Sequence, residues 1–310
     1  MPSPKVSVIV PNYNHAPYLE RRLRSVLDQT VRDIEVIFLD DASPDDSLAV
    51  FDRVAAGDAR VRLVRNEQNS GSTFKQWNKG VGLAAGEYVW IAESDDAADP
   101  RFLEVMLDRL DRHPRAALAY CRSTEVDPVG APTGRVLPAG EAFAADFVRP
   151  GREHAAEHLT FTNTVPNASG VVFRRAAYLA AGGADESFRL TGDWRCWIDL
   201  CLQGDVAYTA EPLNLWRWHP NSVRAGLGRS AAGATETLRV ARHMLDRVRP
   251  PARVREAVRM ALYCLFFFPG KLDHLPPADR RKLRTLARTV DPWLPVRLPY
   301  YYWLRARGRI

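Results

Sequence analysis

The sequence predicts an α/β protein with a mostly parallel central sheet flanked by helices, followed by a C-terminal helical extension. Two observations carry this reading. Short, near-continuously apolar runs of strand length recur through the first 125 residues, and the stretches between them place apolar residues three and four apart. A third observation says where function would sit: polar and acidic clusters follow three of the runs, and in such sheets ligands bind beyond the carboxyl ends of the strands.

Residues 6–10, 34–39, 61–64, 88–92 and 116–120 read as strands buried on both faces, because they do not alternate apolar with polar. Between them, residues 17–27, 45–55, 73–85 and 100–110 read as amphipathic helices, two of them opened by Ser43-Pro44-Asp45 and Asp99-Pro100. From 126 to 160 the chain turns rich in Gly, Pro and Ala, periodicity fades, and loops with a lid are expected. Order returns over 161–220: an apolar run at 168–173, a helix over 174–181, a turn at Gly182-Gly183, a helix from Gly192 and a strand over 206–209. The expected organisation is a domain over 1–224 (halves 1–125 and 126–224), a Gly/Ala/Ser-rich linker over 225–240 and a basic, aromatic-containing extension over 241–310.

Composition narrows the classes further. With 310 residues, 46% hydrophobic and 26% charged, the chain is neither collagenous, disordered nor a disulfide scaffold. Its net charge of +6 conceals a split: residues 241–310 hold 16 Lys and Arg against 5 Asp and Glu, whereas residues 1–240 are net acidic. The four cysteines show no zinc spacing, and a reducing, cytoplasmic setting is expected. No signal-peptide pattern opens the sequence, and the longest late apolar run, residues 260–268, is under half the length of a bilayer span.

The chemistry lies in the clusters Pro11-Asn12-Tyr13-Asn14, Asp40-Asp41-Ala42-Ser43 and Glu93-Ser94-Asp95-Asp96. Adjacent carboxylates raise each other's pKa, a cost that a hard divalent ion with substrate phosphates relieves. The competing reading makes Asp99 a helix cap and leaves Asp95 and Asp96 as solvated loop acids. Asp40 and Asp41 precede their turn and can accept hydrogen bonds from a ribose or a base, while Ser43 or Asp45 caps the next helix. Neither G-x-G-x-x-G nor G-x-x-x-x-G-K-[ST] follows a strand, which argues against dinucleotide and P-loop sites.

In order along the chain, residues 6–14, Leu39-Asp40-Asp41-Ala42-Ser43-Pro44-Asp45, Asn69-Ser70-Gly71-Ser72 and residues 86–96 together resemble the nucleotide-sugar-binding half of family 2 glycosyltransferases of the GT-A fold. The resemblance continues through residues 181–186, Thr191-Gly192-Asp193-Trp194 and Trp216-Arg217-Trp218-His219-Pro220-Asn221-Ser222, and ends there. It implies inverting transfer of one sugar from a UDP- or dTDP-type donor to a glycan or lipid-linked acceptor in envelope polysaccharide synthesis, with Mg²⁺ or Mn²⁺. By position, Pro11, Tyr13 and Asp41 would hold base and ribose, with Asp40 in support. Asp96 would contact the metal directly and Asp95 the ribose or a metal water. Asp193 would be the base, with helix capping as its alternative. His219 would reach metal or diphosphate, and Arg217 would neutralise phosphate. Glu93 stands where the family's motif usually begins with Asp, and no Gln-x-x-Arg-Trp motif of processive synthases occurs.

Two rival readings are a nucleotidyltransferase on a related sheet, which would need a basic Gly-rich first loop, and a non-catalytic sugar-nucleotide-binding module, which would most simply have lost Asp96 or Asp193. For the extension, Arg253, Arg255 and Arg259 beside the 263–268 apolar cluster, and the aromatics and arginines of 300–307, suit a peripheral contact with anionic lipid or a lipid-linked acceptor. The alternative is a helical cap or subunit contact. No nucleic-acid motif is present, and oligomeric state is not legible.

Overall fold

The computed structural model describes residues 3–220, 222–227, 230–267, 270–293, 296–297 and 299–300. The first half alternates strand and helix as the periodicity requires: β1 (Val6–Asn12), α1 (Ala16–Leu27), β2 (Ile34–Asp40), α2 (Ser47–Val54), β3 (Val61–Arg65), α3 (Thr73–Leu83), β4 (Tyr88–Ile91), β5 (Ala97–Ala98) and α4 (Phe102–Arg112). Then come β6 (Ala116–Val126), β7 (Pro132–Leu137), β8 (Phe147–Arg149), α5 (Gly151–His158), β9 (Val171–Arg174), α6 (Arg175–Ala181), α7 (Gly192–Cys201) and β10 (Asp205–Arg217). Short α8 (Val223–Leu227) leads to α9 (Ala231–His243), α10 (Ala252–Phe266) and α11 (Pro277–Val290).

The strands form one sheet in the order β3-β2-β1-β4-β9-β6-β10-β5, with β7 on β6 and β8 on β10. Strands β3, β2, β1 and β4 are parallel, as β-α-β crossovers demand, while β9 runs antiparallel to both β4 and β6. The apolar runs are continuous because the sheet is covered on both sides. Along β1, Ile9 packs into one core with α3 and α7, and Val8 and Val10 pack into the other with α1 and α4. β3 departs from the expectation of burial on both faces: it is the sheet edge, and Leu63 is 41% exposed.

The later segments carry more regular structure than composition predicts. Residues 126–160 hold β7, β8 and α5 rather than loops alone, and β10 runs on to Arg217 through two irregularities in its register with β6. Residues 231–240 form a packed helix where a linker is expected. On α9 Leu238 packs with α10 and α11, while Val240 joins the main core beside Met244 and Val248. Arg152 donates to the carbonyls of Arg247 and Val248, and His243 Nε2 lies 2.6 Å from Asp199 Oδ1. The start of the extension therefore caps the domain; residues 301–307 of the aromatic and basic tail lie outside the described residues. No described helix is long and apolar enough to cross a membrane.

Candidate active site

A cavity of about 710 Å³ opens beyond the carboxyl ends of β1, β2 and β4. Pro11 and Tyr13 line it, and the Tyr13 ring is 45% exposed toward it. The loop after β1 is fixed from below: Ser43 Oγ accepts from Asn12 Nδ2 at 3.0 Å and from Asn14 N at 3.1 Å. Asp40 is fully buried behind the cavity, where it accepts from Asn12 Nδ2 and Ser43 N. Asp41 faces forward and organises the opposite wall. Its carboxylate accepts from Asn66 Nδ2 (2.5 Å), Ser70 N (2.9 Å), Ser70 Oγ (2.7 Å) and Gln76 Nε2 (3.0 Å), which ties β2 to the loop before α3. Asp45 holds the starts of two helices, accepting from Ala16 N of α1 at 2.8 Å and from Ser47 N (3.1 Å) and Ser47 Oγ (2.6 Å) of α2.

The acids after β4 are withdrawn from solvent, Asp96 buried and Glu93 and Asp95 half-buried. Trp77 Nε1 donates to Glu93 Oε1 at 2.7 Å, and burial reinforced by the Asp95 charge pushes the Glu93 carboxyl up to about 8. Asp96 is 2% exposed and points into the protein: Oδ2 accepts from Asn167 Nδ2 (2.6 Å) and Ser169 Oγ (2.7 Å), and Oδ1 from Arg217 N (2.8 Å). Burial and the neighbouring Asp95 charge raise its carboxyl. Asp95 turns the other way. Burial alone would raise it, but the hydrogen bond from His219 Nε2 (3.0 Å) and the imidazoles of His15 and His219 outweigh that and hold it below the usual range. Asp99 serves the next helix, its Oδ1 accepting from Arg101 N.

His15, Asp95 and His219 bring one ligand atom each within 4.8 Å of one another. Two imidazole nitrogens and a carboxylate fit a divalent ion, and the nitrogen donors favour Mn²⁺ over Mg²⁺, which prefers oxygen. Among the described residues the buried His219 Nδ1 has no hydrogen-bond partner; Asp95 holds the ring through Nε2, and His15 and Tyr18 pack against it. Asp95 faces the imidazoles, while the oxygens of Asp96, the residue expected to touch the metal directly, accept from Asn167, Ser169 and the end of β10. His15, one residue beyond Pro11-Asn12-Tyr13-Asn14, is new; its Nδ1 lies 2.8 Å from Ser94 Oγ. Behind the cluster lies Arg22, fully buried, donating from Nε to Glu93 O. Burial lowers its guanidinium to about 10 although Asp96, Asp95 and Glu93 pull it upward.

Arg217 does not reach the cavity. Its Nε donates to Asp95 O (2.7 Å), its NH1 to the carbonyls of Asp127 and Pro128 (3.0 Å each), and its guanidinium covers the Tyr18 ring at 4.9 Å. Through Nε and Nη1 it is a strut between the acidic loop and the β6–β7 turn.

Asp193 lines the same cavity from α7, on the wall that would face an acceptor. It stands in the first turn of α7, where Oδ2 accepts from Asn163 Nδ2 at 2.9 Å and Oδ1 from Trp194 N at 2.7 Å. Gly192 permits this placement, because a Cβ there would lie 2.5 Å from Phe74 Cε2 and 2.9 Å from Phe188 Cβ. The acceptor wall is completed by Arg189 and Leu190 and by Val223, Gly226 and Leu227 of α8. The fold thus gathers Pro11, Tyr13, Asp41, Asp95, Asp96, Asp193 and His219 around one cavity, with Asp40 one layer behind and Arg217 outside.

Residues 7–176, more than half of the chain, match the family model described as Glycosyl transferase family 2. The chain is 36% identical over 105 residues to glycosyltransferase GlyG of Streptococcus pneumoniae, covering 34% of this chain and 35% of that protein. It is 34% identical over 127 residues to chondroitin synthase of Escherichia coli, covering 41% of this chain and 18% of that protein. It therefore spans about a third or less of the length of these relatives. Among solved structures, S. aureus TarS 1-349 in complex with UDP-GlcNAc superposes with a TM-score of 0.73 at 18% identity, over 97% of this chain and 87% of that one. Mannosyltransferase PcManGT from Pyrobaculum calidifontis, in complex with GDP-Man and Mn²⁺, gives 0.61 at 17% identity over 99% and 87%. These two likenesses are of fold.

Proposed function

Because the chain belongs to the family 2 glycosyltransferases, we propose that it moves one sugar, with inversion, from a nucleoside diphosphate sugar to a hydroxyl of a glycan or lipid-linked acceptor in cell-envelope polysaccharide synthesis. The observation that carries this reading is the meeting of Asp41, Asp95 and Asp193, from three distant segments, on one cavity. Asp41 and Tyr13 would engage ribose and base, with Pro11 as a wall and Asp40 as support. Asp95, His219 and His15 would hold a divalent ion, which when bound neutralises the charge of the diphosphate leaving group. Asp193 would take the proton of the acceptor hydroxyl as its oxygen bonds to the anomeric carbon and the bond from that carbon to the diphosphate breaks. A UDP- or dTDP-type donor is favoured by the family resemblance, and the name of the chondroitin synthase relative supports a polysaccharide product.

A thermal-shift screen of UDP, dTDP, GDP and their sugars, each with and without Mn²⁺, tests the proposal, since a ligand of the native state stabilises it by mass action. We expect a uridine or thymidine diphosphate to raise the melting temperature, and more so with Mn²⁺. No shift with any nucleotide would overturn the donor assignment.

A further inference from the structure

Glu236 lies on α9, beyond the family match and inside the stretch whose composition suggests a linker. It is 6% exposed. Its carboxylate accepts hydrogen bonds from three consecutive backbone N–H groups, those of Arg189 (2.7 Å), Leu190 (2.8 Å) and Thr191 (2.8 Å), and a fourth from Thr191 Oγ1 (3.3 Å). These residues lead directly into α7, whose first turn carries Asp193. The Thr191 side chain makes no capping bond to α7, so the approach to the helix is anchored from outside, by a side chain 45 residues further on. Gly233 brings the two segments together: a Cβ there would stand 2.5 Å from Leu227 O and 3.1 Å from Leu190 Cδ2. Ser230 Oγ, accepting from Gly233 N at 3.1 Å, fixes the start of α9 at that point.

We propose that Glu236 is a positioning residue of the transfer reaction, acting through the 189–191 backbone to set Asp193 and the acceptor wall. The C-terminal helices then complete the active site as well as capping the fold. This rests on the reading of Asp193 as base. Among the described residues Glu236 makes no hydrogen bond to the loops after β1, β2 and β4, so its removal acts on the chemical step and leaves donor binding intact.

The test compares full-length wild type, Glu236→Ala, Glu236→Gln and Asp193→Asn. Amide hydrogen exchange, read residue by residue without ligand, should speed up at least about tenfold at 189–191 in Glu236→Ala. It should also speed up at Trp194, whose N–H reports on Asp193 Oδ1. Glu236→Gln, which keeps one acceptor oxygen, should lie between. Nucleotide release from the donor that wild type turns over should fall about 10–100-fold in Glu236→Ala with the donor KM within about twofold, because small misplacements of a reacting group cost on that scale. Melting curves control for folding. Unchanged exchange at 189–191 and Trp194, or turnover within about twofold of wild type while Asp193→Asn is inactive, overturns the proposal. If Asp193→Asn keeps full turnover, it is the base assignment that fails, and exchange at 189–191 and Trp194 alone then decides whether Glu236 positions the start of α7.

Discussion

The two walls of the cavity are built in different ways. The donor wall consists of loops that each follow one parallel strand and are braced by bonds from the loop of one strand to that of its neighbour in the sheet, such as Ser43 to Asn12 and Asn14, and Asp41 to Asn66 and Ser70. The acceptor wall is assembled from segments outside that parallel-strand repeat. Asp193 is held by Asn163, its loop by Glu236, and the β10 end that carries His219 by Asp96. A binding surface that follows from the sheet is thus paired with a reaction surface that depends on tertiary contacts. Donor binding should tolerate changes on α7 and α9, and transfer should not.

The strongest way to break this division is Asp193→Asn. It should lower turnover by about 10²–10⁴-fold, the range for loss of a general base, with nucleotide affinity unchanged; loss of both together in steady-state kinetics and calorimetry would erase the distinction between the walls. Gly192→Ala should come next. Its Cβ would press on Phe74 and Phe188, and overpacking of this kind costs about 1–3 kcal/mol. Denaturant unfolding should register that loss, and a variant as stable as wild type would show that α7 can shift without penalty.

The smallest effect concerns packing in the acceptor half. His154 is 1% exposed, and burial lowers its imidazole from 6.5 to about 3. The folded state therefore binds fewer protons than the unfolded one below pH 6.5, so stability is present above that pH and is lost as pH falls toward 3. At pH 5 the loss amounts to about 2 kcal/mol. His154→Phe should remove it, giving a flatter melting temperature between pH 7 and 5 than wild type; parallel pH profiles would contradict the burial argument.

The contrast also explains what the sequence made legible. Parallel strands announce themselves as unbroken apolar runs, and their loops follow in register, so Pro11, Tyr13, Asp40 and Asp41 could be placed from local pattern alone. Which of two adjacent aspartates meets the imidazoles is set by partners more than 70 residues away, Asn167 and Ser169 for Asp96 and His219 for Asp95. Spacing carries no record of that choice. The position of Arg217 in its motif suggested a phosphate contact; in the folded chain its Nε donates to Asp95 O and its Nη1 to carbonyls of the β6–β7 turn, a turn composition had marked only as loop. His15 had a readable signal, since it continues the first loop by one residue. Glu236 had none: a carboxylate in a Gly/Ala-rich helix acquires its meaning from three amides that only the folded chain brings to it.

The most direct measurement is calorimetric titration of UDP into wild type, Asp95→Ala and Asp193→Asn, each with and without Mn²⁺. The account predicts Mn²⁺-dependent binding in wild type, its loss in Asp95→Ala and its full retention in Asp193→Asn. Equal, metal-independent binding in all three proteins would contradict it.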